Sequence, residues 1–180
     1  MNDTVILAGD LGLHYGLCLV VLLENGSIEY VNSTHVDIAR EVKRSRGAQM
    51  IAMADRVVAW CEQRLHGGVD RGVYEALTPV SYDTSLAQGQ CVGAYLQSLE
   101  RLGASGVVDT CYPSTLKKWA TGHGFAKKPE MVARANELSG CDLPIHDDNE
   151  ADAVCLAFWA AERLRERLVY REGVAETRSE

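Results

Sequence analysis

The sequence lacks the features that mark secreted, membrane-spanning and nucleic-acid-coating proteins. It has no apolar run of about 18 residues, which a transmembrane helix needs, and its start, MNDTVILAGD, has no basic segment of the kind that opens a signal peptide. Its six cysteines form no CxxC pair, so we expect buried reduced thiols rather than a zinc site or a disulfide framework. The net charge of −7 argues against a protein that coats nucleic acid nonspecifically. We therefore expect a cytosolic protein that makes no membrane contact.

The length of 180 residues suits one compact domain with a sizeable core. We predict a single domain over residues 1–171, followed by a polar and frayed tail over residues 172–180. No internal repeat, linker or low-complexity segment divides the chain.

The first part of the chain predicts three sequential antiparallel strands. Residues 5–9 and 17–23 are apolar runs, and residues 27–31 are a third extended run. Asn25-Gly26 lies between the second and third runs, and this dipeptide is a strong signal for a hairpin turn.

The rest of the chain alternates between helical and strand patterns. We predict a long helix over residues 38–65, a strand over 72–77, a helix over 86–102, a strand over 107–112, short helices over 114–120 and 129–138, and a last helix over 148–168. This order predicts an α/β fold with a mixed five-stranded sheet, whose first three strands are antiparallel, flanked by helices.

Acidic residues lie where strands or a helix can hold them rigidly. Asp10 ends the first strand, Glu75 interrupts the apolar run of the fourth, and residues 147–152 (DDNEAD) open the last helix. A carboxylate in a central strand is costly to bury without a cation or a hydrogen-bond partner. Mg²⁺ and Mn²⁺ prefer carboxylate oxygens, so these acids predict a divalent-metal site.

Helix geometry separates the members of the acidic cluster. An apolar stripe faces the sheet, Asp148 and Asp152 lie together along one border of it, and Glu150 lies on the other. We therefore predict Asp148 and Asp152 as metal ligands, with Glu150 and Asp147 in reserve. A plainer role stays open for Asp147 or Asp148, because acidic residues commonly cap helix N-termini.

Several motifs in order resemble the RuvC-type Holliday junction resolvases of the RNase H-like superfamily, in a phage-like variant. They are Asp10-Leu-Gly12 after the first strand, Val73-Tyr-Glu75 in the fourth, LAQGQCVG over residues 86–93, PSTLKKWATGHGFAKK over residues 113–128, and DNEADA over residues 148–153. The match covers nearly the whole chain, and five motifs in register are far more specific than any one of them.

The resemblance implies a homodimeric RNase H-like endonuclease that cleaves four-way or otherwise branched DNA in the cytoplasm of a bacterial or phage-infected cell. Two Mg²⁺ or Mn²⁺ ions would support hydrolysis that leaves 5′-phosphate and 3′-hydroxyl ends. Carried over by position, the metal ligands would be Asp10, Glu75, Asp148 and Asp152, with Lys128 as a further catalytic residue. The DNA-binding residues would be Lys117, Lys118, Lys127, Lys128, Gly122 and Gly124.

The chain departs from the bacterial pattern in two places. No aromatic residue follows Glu75 before Tyr82, and the two closing acids are four residues apart rather than three. A nuclease of broader preference, for flaps, forks or RNA-containing branches, and an inactive junction-binding module are the alternatives. Sugar-kinase and actin-like ATPases also open with Asp-x-Gly, but they need two such domains and therefore a longer chain.

Overall fold

A computed structural model describes residues 3–38, 45–78, 81–104 and 109–176, with side chains described up to residue 170. Its elements are strand β1 (Thr4–Asp10), strand β2 (His14–Leu22), strand β3 (Ile28–Asp37), helix α1 (Arg46–Glu62), strand β4 (Arg71–Glu75), helix α2 (Tyr82–Arg101), strand β5 (Asp109–Cys111), helix α3 (Pro113–Thr121), helix α4 (Lys128–Ser139) and helix α5 (Asp148–Glu176).

The five strands form one mixed sheet in the order β3-β2-β1-β4-β5. The pairs β1–β2 and β2–β3 are antiparallel, whereas β1–β4 and β4–β5 are parallel. The predicted hairpin lies between β2 and β3, where Gly26 has the positive φ of 82° that a glycine adopts without strain. The predicted fold class is confirmed.

Helices cover both faces of the central strands, and successive side chains along a strand point to opposite faces. Ile6 and Ala8 of β1 face a core formed with α3, α4 and α5, whereas Leu7 faces a second core formed with α1 and α2. Because the central strands are covered on both sides, their sequences are continuous apolar runs.

The element boundaries differ from prediction where capping or packing decides them. Ile38 is helical as predicted, and residues 39–44 lie outside the described part of the chain. Ser45 is extended and caps α1, which begins at Arg46, so the predicted single helix over residues 38–65 is interrupted. Helix α2 begins four residues early because Ser81 caps it by accepting from the Thr84 amide. Helix α5 extends to Glu176, so the predicted end of the last helix at residue 168 is wrong.

Two further predictions are confirmed only in part. Five of the six cysteines are buried free thiols, as predicted, but Cys141 is exposed. Residues 107 and 108 of the predicted fifth strand lie outside the described residues.

Among the described helices, none combines the length and the apolar character that crossing a bilayer requires. The single domain over residues 1–171 stays a prediction.

A candidate carboxylate site at one end of the sheet

Two strands place their last residues side by side. Strands β1 and β4 are parallel neighbours, paired in register up to Gly9 and Tyr74. The next residue on each strand is an acid, Asp10 and Glu75, so both carboxylates lie at the same edge of the sheet. Glu75 therefore ends its strand, whereas the sequence pattern placed it inside one.

The first turn of α5 brings more acids to this edge, and their electrostatics indicate a shared site. Burial raises the pKa of Asp10 well above its usual value, and the carboxylates of Glu75 and Asp152 add to the rise. Burial, reinforced by Asp152, raises the pKa of Glu75 to about 7, with Lys117 opposing the shift. Burial also raises the pKa of Asp152 to about 6, against the pull of Lys117. These three acids repel one another in a poorly solvated space.

The other acids of the cluster have partners of their own. The Asp147 carboxylate accepts from the Glu150 amide at 3.0 Å and so caps α5, which is the plainer role left open by the sequence. Lys128 donates to the Asp148 carboxylate, and this hydrogen bond lowers the pKa of Asp148. Both residues belong to the cluster, and Asp148 also contributes to the raised pKa of Asp152.

Glu150 is directed away from the other acids, toward β3. Its carboxylate accepts from Ser33 Oγ at 2.5 Å and lies 3.4 Å from His35 Nδ1. Helix geometry correctly separated it from Asp148 and Asp152, and these contacts argue against its reserve role as a metal ligand.

A glycine in β2 allows the acidic helix to approach the sheet. Gly16 pairs with Asp10 across β1 and β2. A Cβ atom at Gly16 would lie 2.0 Å from the Asn149 carbonyl oxygen and 2.7 Å from the Glu150 amide nitrogen. The first turn of α5 therefore rests directly on the backbone of β2, beside Asp10.

A buried tyrosine joins the two acid-bearing strands. Tyr95 of α2 is fully buried, and its hydroxyl lies 2.6 Å from the carbonyl oxygen of Leu7 and 3.2 Å from that of Val73. These carbonyls belong to β1 and β4, a few residues before Asp10 and Glu75. Tyr95 thus ties the strands together below the site.

Comparison with solved structures identifies the architecture. Thermus thermophilus RuvC in complex with a Holliday junction superposes with a TM-score of 0.75 at 19% identity, covering 91% of this chain and 96% of that one. Another T. thermophilus RuvC structure gives 0.67 at 20% identity, with 94% and 97% covered. The yeast mitochondrial Holliday junction resolvase gives 0.64 at 11% identity, with 97% and 84% covered. The fold is that of RuvC.

Sequence similarity points the same way over a shorter stretch. The crossover junction endodeoxyribonucleases RuvC of Rickettsia typhi and Rickettsia prowazekii are each 38% identical to this chain over 76 residues. That alignment covers 42% of this chain, and the chain spans about half the length of the curated relatives it matches, 46%. No family model matches the chain.

The acids of this site fit a divalent cation by their chemistry. The Oδ1 atom of Asp152 is buried without a hydrogen-bond partner, an arrangement that is costly unless a cation or water satisfies it. In the described part of the chain, however, no three potential ligands are already gathered closely enough to hold an ion. Mutual repulsion between the carboxylates and the pairing of Asp148 with Lys128 both favour such an open arrangement.

The predicted DNA-binding residues divide into two groups. Lys117 and Lys128 act electrostatically on the acids, as the pKa shifts of Glu75 and Asp152 indicate. Lys118 and Lys127 are exposed, and Lys127 lies beside Glu130. The two glycines have local structural roles: Gly122 ends α3 with a φ of 89°, and Gly124 packs against Ser114, where a Cβ would lie 3.3 Å from the carbonyl oxygen. The roles of these residues on DNA stay predictions.

Sequence reasoning missed Gly16 and Tyr95. A glycine inside an apolar strand indicates a close backbone approach, so the signal for Gly16 was present. Tyr95 carries no local signal, because the carbonyls that it joins lie 88 and 22 residues away along the chain.

Proposed function

We propose that this protein is a structure-selective, divalent-metal-dependent endonuclease that cleaves Holliday junctions or other branched DNA. The proposal rests on three acids, Asp10, Glu75 and Asp152, at one edge of a RuvC-type sheet. Their carboxylates have no hydrogen-bond or ion-pair partner among the described residues. The similarity to RuvC sequences supports the same function. The T. thermophilus relative was solved with a Holliday junction, which supports branched DNA as the substrate class.

The acids would hold Mg²⁺ or Mn²⁺, two ions by analogy with the family, through Asp10, Glu75, Asp152 and Asp148. A divalent cation supplies Lewis-acid chemistry and water activation at a phosphodiester. The protein itself holds the carboxylates together against their repulsion, since the paired strands and the helix packed on Gly16 fix their positions. Asp148 would serve as a ligand only where its contact with Lys128 is released.

The lysines near the site would bind the phosphates of the DNA backbone. The hydrogen bond that Lys128 donates to Asp148 raises the pKa of the Lys128 ammonium, so this group stays charged and acts as a cation, not as a base. Lys117 lies close enough to oppose the pKa shifts of Glu75 and Asp152. Together with Lys118 and Lys127 they would neutralise backbone phosphates, and affinity for DNA should fall steeply with added salt.

A cleavage assay tests the function and separates the alternatives. Purified protein is incubated with end-labelled four-way junction, flap and linear duplex of matched sequence, with and without Mg²⁺. We expect metal-dependent cuts in the junction that leave 5′-phosphate and 3′-hydroxyl ends and are therefore sealed by DNA ligase. Equal cutting of the flap supports the broader nuclease, and tight junction binding without any cut supports an inactive binding module. Failure both to bind and to cut branched DNA contradicts the proposal.

We further propose a homodimer, with the exposed face of α2 as its contact surface. Tyr82, Leu86 and Leu96 are exposed along this face, and the intervening Gly89 and Gly93 leave open space beside the helix. These positions follow helical spacing and form one stripe. Light scattering should give the dimer mass for the wild type and the monomer mass for Leu86→Glu combined with Leu96→Glu, whereas an unchanged dimer would place the contact elsewhere.

A further inference from the structure

The loop between α3 and α4 presents an aromatic side chain to solvent. Phe125 is 93% exposed, the largest value among the large apolar side chains that the structure describes. It is followed by Ala126, which is buried in the core against α5. The chain thus turns Phe125 outward immediately before it enters the core.

The exposure of Phe125 does not come from a loosely held loop. The loop begins at Gly122, which ends α3 in the left-handed conformation, and the Thr121 hydroxyl donates to the His123 carbonyl at 3.2 Å. Glu130 then braces the loop from α4, since its carboxylate accepts from the Lys127 amide at 2.8 Å and lies 3.1 Å from His123 Nε2. A braced loop presents Phe125 at small entropic cost on binding.

Phe125 lies near the carboxylate site. It lies three positions before Lys128, whose ammonium group contacts Asp148. Three residues span at most about 10 Å of chain. A nucleic acid strand advances by about 3.4 Å per nucleotide, so Phe125 is within reach of bases roughly one to three nucleotides from a phosphate bound at the acids.

The surroundings of Phe125 suit a nucleic acid better than a protein partner. His123, Lys127 and Lys128 are polar or cationic and exposed, so these described neighbours in the loop form no apolar patch around the ring. A protein-docking surface needs such a patch, whereas an aromatic ring flanked by cations provides both a stacking face for a base and charges for its phosphates.

We propose that Phe125 stacks on an unpaired base of branched DNA and so helps to select substrates whose bases are open near the cut. This inference rests on the proposed nuclease function and adds a specificity-determining residue to it. Base–aromatic stacking tolerates any sequence, so the selection acts on structure rather than on base identity.

The test compares two junctions in single-turnover cleavage with Mg²⁺. One junction is fully paired, and the other carries mismatched, already unpaired bases at the crossover. Phe125→Ala should cleave the paired junction about 5- to 100-fold more slowly than the wild type, the range expected for one lost stacked base. The same variant should recover most of its rate on the unpaired junction, because the bases there need no help to open.

The variants Phe125→Trp and Phe125→Leu separate stacking from apolar contact. Phe125→Trp should keep the wild-type rate, and Phe125→Leu should behave like Phe125→Ala. Tyr170→Ala is a matched control: Tyr170 is an exposed aromatic, 74%, near the other end of α5, and its loss should leave both rates unchanged.

A fluorescence measurement reports base opening directly. Aminopurine placed within three nucleotides of the cut should brighten when Asp10→Asn protein binds, because the probe leaves its stack. Adding Phe125→Ala to that variant should abolish the rise.

Three results would overturn the role of Phe125: an unchanged rate of Phe125→Ala on the paired junction, an equal loss on both junctions, or a changed oligomeric state that makes the loop a protein contact. If the wild type cuts neither junction, the nuclease function itself fails.

Discussion

The six acids at the edge of the sheet fall into two groups, which differ in whether the carboxylate has a hydrogen-bond partner. Asp147, Asp148 and Glu150 each accept a hydrogen bond, from a helix amide, from Lys128 and from Ser33 respectively. For Asp10, Glu75 and Asp152, burial and mutual repulsion raise the pKa values. Asp147 and Glu150 stabilise the fold around the site, whereas the second group, together with Asp148 once it leaves Lys128, forms the cation site that we propose.

The largest effect should come from Asp10→Asn. The change removes the most buried charge of the second group, so cleavage of a four-way junction should fall by more than about 100-fold, beyond the roughly 10–100-fold typical for residues that merely support a metal site. The rise in melting temperature on adding Mg²⁺ should shrink, while the metal-free variant should be more stable than the metal-free wild type. Retained cleavage would refute the role of Asp10.

Gly16→Ala should disturb the packing that brings the two groups together. The added Cβ would clash with the Asn149 carbonyl, so the first turn of α5 must move away from β2. We expect a loss of about 1–3 kcal/mol in the free energy of unfolding, measured in urea, and weaker stabilisation by Mg²⁺.

The control is Gly47→Ala in α1, where an added Cβ meets nothing within 4 Å. Its free energy of unfolding should change by no more than about 1 kcal/mol. If both variants lose the same stability, the close approach at Gly16 is not what positions the helix.

The stability of the metal-free protein should depend on pH because of the second group. Raised pKa values mean that the folded state binds more protons than the unfolded state between about pH 4 and pH 7, given the values near 7 for Glu75 and 6 for Asp152. The free energy of unfolding should therefore fall as pH rises through this window and level off above it.

Urea titrations at several pH values measure this slope. Asp152→Asn should flatten it by removing one of the groups that titrate, and saturating Mg²⁺ should oppose it by binding the ionised acids. A metal-free stability that rises with pH across the window would contradict the assigned repulsion.

The smallest effect should come from Glu150→Gln. The amide oxygen of glutamine still accepts from Ser33, so we expect a change in stability of about 1 kcal/mol or less. Junction cleavage and the response to Mg²⁺ should stay within a few-fold of the wild type. A loss as large as that of Asp10→Asn would move Glu150 into the metal-binding group.

Much of the fold could be predicted from local patterns. The apolar runs and Asn25-Gly26 predicted the first hairpin, and helical spacing predicted every described helix. Boundaries were less accurate, because a single cap such as Ser81 shifts a helix start by four residues. The end of α5 was placed too early, since a polar composition by itself does not end a helix.

The candidate site was predicted in composition more than in geometry. The acids were identified by their positions after apolar segments, and helix periodicity separated Glu150 from Asp148 and Asp152. Their contacts could not be predicted, because the partners of Asp148 and Glu150 lie 20 and 117 residues away along the chain.

By itself the sequence determined which segments become strands and helices, and which acids stand at their ends, because periodicity, turns and caps act over a few residues. Only the tertiary structure decided which of those acids have partners, how closely α5 approaches β2 at Gly16, and that Phe125 is held out in solvent. Those outcomes depend on burial and on contacts between distant segments, which exist only once the sheet and its two helical layers have packed.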